Sequence, residues 1–382
     1  MQHAGLYIHI PFCVQKCLYC DFLSYSNRAG QISGYVDALC RELHLRSLAC
    51  KTIHFDSIFI GGGTPTCIPS SDIQRILQCC RNNFSVSDDA EISIEMNPGT
   101  VKPDMMDIYK QCGINRFSIG VQSSSDRLLK SIGRIHTVQD AKNTISLLQT
   151  NHFTNYNLDF ISGIPGILDE SPETLEEALR DIDFALQNKV THISVYSMIT
   201  EPGTPLYSLT EKGRVRPVDE QIERKMYHAI RDKLTKAGFI HYEISNFARL
   251  GYQCKHNLKY WQGAPYLGIG LGSASYLPTG TNEQFIRRSN TQDFNAYITN
   301  PIQEGEQEII SFSDRKKEYM MLGFRLTKGP DSTLYQNIFQ SDMLHDFAGE
   351  IALLQEKKLI HHDLSLTKYG IDFENEISRE FI

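Results

Sequence analysis

Six short runs rich in Ile, Val, Phe and Tyr recur through the N-terminal half of the chain, and a longer amphipathic stretch follows each of them. The runs are LYIHI (6–10), SIFI (57–60), EISIEM (91–96), RFSIGV (116–121), YNLDFI (156–161) and HISVYS (192–197). Several read as apolar on both faces, the pattern of buried parallel strands. Helices are predicted over 31–50, 70–82, 103–111, 138–150, 172–187 and 218–237. Ser70-Ser71-Asp72 and Ser171-Pro172-Glu173 are start signals, Pro103 opens a third helix, and Gly113 and Gly238 stand where helices stop. Six β–α units in series call for a parallel sheet with right-handed crossovers. A doubly wound sheet, a barrel and an incomplete barrel all satisfy this α/β pattern. In each of them function gathers at the C-terminal ends of the strands.

The alternation ends near residue 200. Residues 240–300 are rich in Tyr, Asn and Gly and hold short strand-like runs. From Ser313 a capped helix, DRKKEYMMLGFRL, is followed by a helix around 342–357 and then by KKLIHHDLSLTKYGIDFENEISREF. Helix, helix, short strand, turn and strand predict a small α+β unit of winged-helix type. The expected organisation is a core over 1–235, an α/β extension over 236–312 and a C-terminal unit over 313–382. His361 and His362 would point to opposite faces of a strand and so would not share a metal.

Composition excludes some classes. The net charge of −7 gives no basic surface for nucleic acid. No apolar run approaches the roughly 20 residues of a membrane-spanning helix. The start, MQHAGLYIHIPF, lacks the basic segment and long apolar run of a secretory signal. A cytoplasmic location is expected, with the ten cysteines reduced, as thiols or metal ligands. Cys40, Cys50, Cys67, Cys79, Cys80, Cys112 and Cys254 are scattered and read as small buried apolar residues.

Cys13, Cys17 and Cys20 are different. They form C-x₃-C-x₂-C directly after the first strand, in the first βα loop. Thiolates are soft ligands for zinc or iron–sulfur clusters. A structural zinc site requires a fourth ligand, for which His9 and Asp21 are the nearby candidates. A cluster held by three cysteines instead leaves one iron open for a substrate or cofactor.

The motif, with Tyr19 before its last cysteine, resembles that of the radical S-adenosylmethionine superfamily. The resemblance implies a [4Fe–4S] cluster on Cys13, Cys17 and Cys20, whose open iron is chelated by the amino and carboxylate groups of S-adenosylmethionine. One-electron reduction then splits that cofactor to a 5′-deoxyadenosyl radical. GGGTPT (61–66) follows the second strand and lets backbone groups approach a ligand closely. In the superfamily this segment, here Gly62, Gly63 and Thr64, contacts the methionine amino group. Glu95, Gln122 and Asp159 end the third, fourth and fifth strands, and Arg134 in SIGRIH is a cation suited to the methionine carboxylate. All four match cofactor-binding positions of the coproporphyrinogen-dehydrogenase-like branch, and Tyr7 matches an aromatic that packs near the cofactor.

YIHIPFC, GGGTPT, GVQS and the C-terminal unit together resemble the HemN/HemW group over nearly the whole chain. This resemblance implies a partial (βα)6 barrel of parallel strands with a small C-terminal winged-helix-like domain. The oxygen-independent coproporphyrinogen III dehydrogenase of the group has a further cysteine two residues after the third, and a long N-terminal arm. Here that place is Phe22, and only twelve residues precede Cys13. CDF and HNLKYW (256–261) instead match the haem-chaperone side of the group. On that side the implied cofactors are the cluster, S-adenosylmethionine and haem. The implied partners are an electron donor for the cluster and membrane or respiratory haem proteins as recipients, with no dehydrogenase activity on coproporphyrinogen. His256, Tyr260 and Trp261 are the candidates for haem, since imidazole is a common axial ligand and aromatic rings suit a flat macrocycle.

Overall fold

The computed structural model describes residues 2–168, 170–279 and 281–382, with the side chains of 2 and 281–283 outside the description. The six predicted strands form as β1 (Gln2–Ile10), β2 (Ile53–Gly62), β3 (Ser85–Met96), β4 (Arg116–Gln122), β5 (Tyr156–Ser162) and β6 (His192–Ser197). They lie side by side in chain order, each parallel to the next. The crossovers are α1 (Ile32–Ser47), α2 (Ser70–Asn83), α3 (Pro103–Gln111), the pair α4 (Asp126–Ser131) and α5 (Val138–Thr150), and α6 (Leu175–Gln187). Thr137 and Thr174 cap α5 and α6 with reciprocal side-chain bonds to Asp140 and Glu177. After α7 (Pro205–Glu211) and α8 (Glu220–Lys236), the chain returns to the same sheet.

That return was not visible in the sequence. β7 (Ile240–Glu243) and β8 (Asn246–Ala248) form a hairpin that adds antiparallel to β6. On the opposite side β9 (Tyr266–Ile269) pairs parallel with β1. It is followed by antiparallel β10 (Ala274–Thr279), β11 (Thr281–Asn290) and β12 (Glu304–Ile310). Among the described residues the resulting sheet has twelve strands, with β12 and β7 at the two ends of its order.

The central strands are not apolar on both faces. In β4, Phe117, Ile119 and Val121 are buried in the main apolar core, whereas Arg116, Ser118, Gly120 and Gln122 line a cavity. The same alternation sets Asn157 and Asp159 on β5, and His192 and Ser194 on β6, on the cavity side. One sheet face packs against the crossover helices and the other is polar because it encloses a pocket.

A second apolar cluster includes Phe324, Tyr335, Phe339, Leu354 and Ile377 in the C-terminal region. The expected strand–turn–strand is present there in its smallest form, one antiparallel bridge between Ile360 and Leu366. Beyond it the chain is helical over Lys368–Asp372 and Glu374–Arg379, because Thr367 caps the first of these and Ile377 and Phe381 bury at helical spacing.

Candidate functional site

The loop after β1 is tied at its base. Cys13 N–H donates to Tyr25 O at 3.0 Å and Tyr25 N–H to Pro11 O at 2.8 Å. The loop between these bonds brings Cys13, Cys17 and Cys20, beyond the C-terminal end of β1, to a cavity of about 490 Å³ that also runs along the inner face of β4, β5 and β6. Burial raises the Cys17 thiol and pushes Cys20 up to about 11. His9 is no fourth ligand: its Nε2 meets the Leu23 carbonyl at 2.8 Å and its Nδ1 meets the Tyr7 hydroxyl at 3.0 Å. Among the described residues, no three His, Cys, Asp or Glu side chains are arranged around a single metal ion. Three cysteines that each address a different iron of one cluster need no such convergence.

The glycine run packs against this loop. Gly63 N–H donates to Ile10 O at 2.9 Å and Thr64 N–H to Phe12 O at 2.7 Å. A Cβ on Gly63 would lie 2.5 Å from Phe12 O and 2.9 Å from Cys13 Sγ, so only glycine permits this approach. Gly62, at φ +116°, donates its N–H to Glu95 Oε2 at 3.0 Å. Burial raises Glu95 to about 8; the nearby Asp159 charge adds to this and the Gly62 N–H opposes it. Burial also raises Asp159, against hydrogen bonds from Ser118 at 2.9 Å and Asn157 at 2.6 Å.

Tyr7, Tyr19, Gln122 and Arg134 line the same cavity, so every residue expected to hold S-adenosylmethionine is gathered there. Gln122 takes φ +67° at the end of β4. Arg134 donates to Asn97 Oδ1 at 2.8 Å, while its Nε–H is buried without a hydrogen-bond partner. A half-buried guanidinium with a buried, unused donor fits a carboxylate, and the three free thiols and the glycine cradle fit a cluster with an attached amino-acid-like cofactor. Asn97 was not among the residues expected at the strand ends, where only Glu95 was singled out on the third strand. Its signal was its place: Asn97 lies two positions after Glu95, immediately beyond the end of β3.

The HNLKYW segment is α9 (Lys255–Trp261), and it packs against β1 and β2. His256 is 1% exposed; Ser57 Oγ lies 3.0 Å from its Nδ1 and the Tyr260 hydroxyl 3.0 Å from its Nε2. Burial, with Lys259 nearby, lowers it to about 3, so it is a neutral, fully partnered histidine. His256 and Tyr260 line the cavity. Trp261 turns toward the C-terminal region, with the Arg325 guanidinium 5.0 Å from its ring centroid.

The sequence profile of the radical SAM superfamily matches residues 7–182. The heme chaperone HemW of Bacillus subtilis (strain 168) is 34% identical over 386 residues, covering 98% of this chain and 98% of that protein. The chain belongs to the HemW family. The HemW protein of Escherichia coli (strain K12) is 36% identical over 324 residues, 84% of this chain and 82% of its own. That of Synechocystis is 34% identical over 86% of this chain and 79% of its own. Coproporphyrinogen III oxidase (HemN) from Escherichia coli, a radical SAM enzyme, superimposes with a TM-score of 0.82 over 100% of this chain and 90% of its own, at 21% identity. This chain therefore shares the HemN fold, and membership of the superfamily implies a [4Fe–4S] cluster and S-adenosylmethionine. Among the described residues no helix is long and apolar enough to cross a membrane.

Proposed function

We propose that this chain is a haem chaperone: it binds haem together with a [4Fe–4S] cluster and S-adenosylmethionine and delivers the haem to membrane haem proteins such as respiratory enzymes. The near end-to-end likeness to the Bacillus subtilis heme chaperone HemW carries the reading. Phe22 in place of a further cysteine supports it. Phe22 stands 63% exposed at the cavity lining, an apolar surface where the dehydrogenase has a thiol.

In this proposal Cys13, Cys17 and Cys20 hold the cluster. Arg134 pairs with the cofactor carboxylate, and the Gly62–Thr64 backbone and Glu95 face its amino end. Gln122, Asp159, Tyr7 and Tyr19 shape the remainder. Reductive cleavage of S-adenosylmethionine is the chemistry that the cluster supplies when bound, with electrons from a separate donor protein. His256 and Tyr260 act on haem through the pocket wall rather than by axial ligation, because both His256 nitrogens already have partners, whereas Trp261 faces Arg325 outside the cavity lining. A cytoplasmic location, action without nucleic acid, and the division at 235 and 312 belong to the same proposal.

The test is transfer. Haem-loaded protein, mixed with respiratory membranes prepared from haem-starved cells, should restore oxidase activity, and cluster-free protein should not. Failure of the loaded chain to restore activity contradicts delivery. A second reading, a radical enzyme acting on coproporphyrinogen III, is favoured by the shared HemN fold. Rescue of a strain that lacks the anaerobic dehydrogenase would establish it in place of the chaperone.

A further inference from the structure

Three hydrogen bonds connect the cofactor-facing guanidinium to the first cluster cysteine. Arg134 Nη1 donates to Asn97 Oδ1 at 2.8 Å, Asn97 Nδ2 donates to Thr64 Oγ1 at 2.7 Å, and the Thr64 hydroxyl donates to Cys13 Sγ at 3.6 Å. The direction of this chain is forced. A guanidinium only donates, so the Asn97 carbonyl must face Arg134 and its NH₂ must face Thr64. Thr64 then accepts from Asn97, which leaves its proton for the cysteine sulfur.

The surroundings hold the chain in place. Thr64 is 2% exposed, and its N–H is fixed on Phe12 O at 2.7 Å, beside Cys13. Asn97 O accepts from the Thr100 hydroxyl at 2.7 Å, and that hydroxyl meets Thr66 Oγ1 at 2.6 Å. Gly120 leaves the necessary space: a Cβ there would lie 2.9 Å from Asn97 Oδ1 and 3.1 Å from Arg134 Nη2.

We infer that Asn97 is a positioning residue that orients the Thr64 hydroxyl onto Cys13 and so sets the reduction potential of the cluster. The inference rests on the reading that Cys13 is a cluster ligand. A hydrogen bond to a ligand sulfur favours the more negative, reduced cluster and so raises its potential. Asn97 acts on the cluster only through Thr64, and it links that bond to the cation expected to take the cofactor carboxylate.

The test is a redox titration of anaerobically reconstituted protein without S-adenosylmethionine, followed by electron paramagnetic resonance, with iron and sulfide counted in each sample. Thr64→Val should move the potential to a more negative value, and Thr64→Ser should restore it. Asn97→Ala should move it by a smaller amount in the same direction, and should add nothing in the Thr64→Val background. If Asn97→Ala does not load iron, Asn97→Asp serves instead, since it accepts from Arg134 but cannot donate to Thr64, and it too should give a more negative potential. A loaded cluster whose potential ignores Thr64→Val overturns the inference, as does an Asn97→Ala shift of equal size in both backgrounds. Wild-type protein that takes up neither iron nor sulfide overturns the cluster reading itself, a distinct result.

Discussion

His256 stacks on Phe59 with ring centroids 5.3 Å apart and planes 29° from parallel, while its two nitrogens meet the hydroxyls of Ser57 and Tyr260. This is the geometry of a packed wall residue. A Cβ on Gly5 would lie 2.9 Å from the ring, so β1 has been cleared to admit it. Replacing His256 with Ala would strand two hydroxyls and open a void, at a cost of about 2–4 kcal/mol. The expected outcome is a lower melting temperature with an unchanged axial-ligand signature in the visible spectrum of bound haem. Loss of that signature with stability intact would make His256 the ligand.

The approach of the glycine run to the cluster loop gives a paired test. Gly63→Ala forces a Cβ against Phe12 O and Cys13 Sγ, and such overpacking costs about 1–3 kcal/mol. Iron uptake on reconstitution should fall with it. Gly34→Ala in α1 meets nothing within 4 Å and should stabilise the chain by about 0.5–1 kcal/mol. Denaturant unfolding of the two variants measures both effects.

Glu95 sets a pH dependence. Its folded pKa of about 8 lies above the model-peptide carboxylate value. Between these two values the unfolded chain has released the proton and the folded chain retains it. Stability from this group is therefore complete below the carboxylate range, declines as pH rises, and levels off above about 8. The melting temperature of the cluster-free protein should fall over that window more steeply than that of Glu95→Gln. Parallel curves for the two proteins would show that Glu95 is ionised throughout.

The cluster assignment is tested by cysteine replacement. Cys13→Ala, Cys17→Ala and Cys20→Ala should each abolish the broad visible absorbance of a reconstituted [4Fe–4S] centre. Cys79→Ala and Cys80→Ala, in α2 and remote from the cavity lining, should retain it. A requirement for either of the α2 thiols would contradict the three-ligand arrangement.

The parallel half of the fold was legible because its signals are local. Apolar runs at regular intervals, Pro103 at a helix start and Gly113 after a helix end mark elements without knowledge of their neighbours. The strand bounds were less legible. β3 begins at Ser85, where SVSDDA is polar, and pairing of Ser85 and Val86 with β2 is what makes it a strand. Sheet order was legible only for consecutive units, since nothing in Tyr266–Ile269 marks β1 as its partner. The site residues at strand ends were found one by one, but their mutual bonds were not. Asn97 takes its meaning from Arg134 and Thr64, 37 and 33 positions away in sequence, and no local pattern reports such a meeting.

Haem stoichiometry tests the central claim most directly. Anaerobically reconstituted protein, with its iron and sulfide counted, is titrated with haem and followed at the Soret band. Saturable binding of one haem per chain alongside an intact cluster is the expected result. A loaded cluster with no saturable haem binding would contradict it.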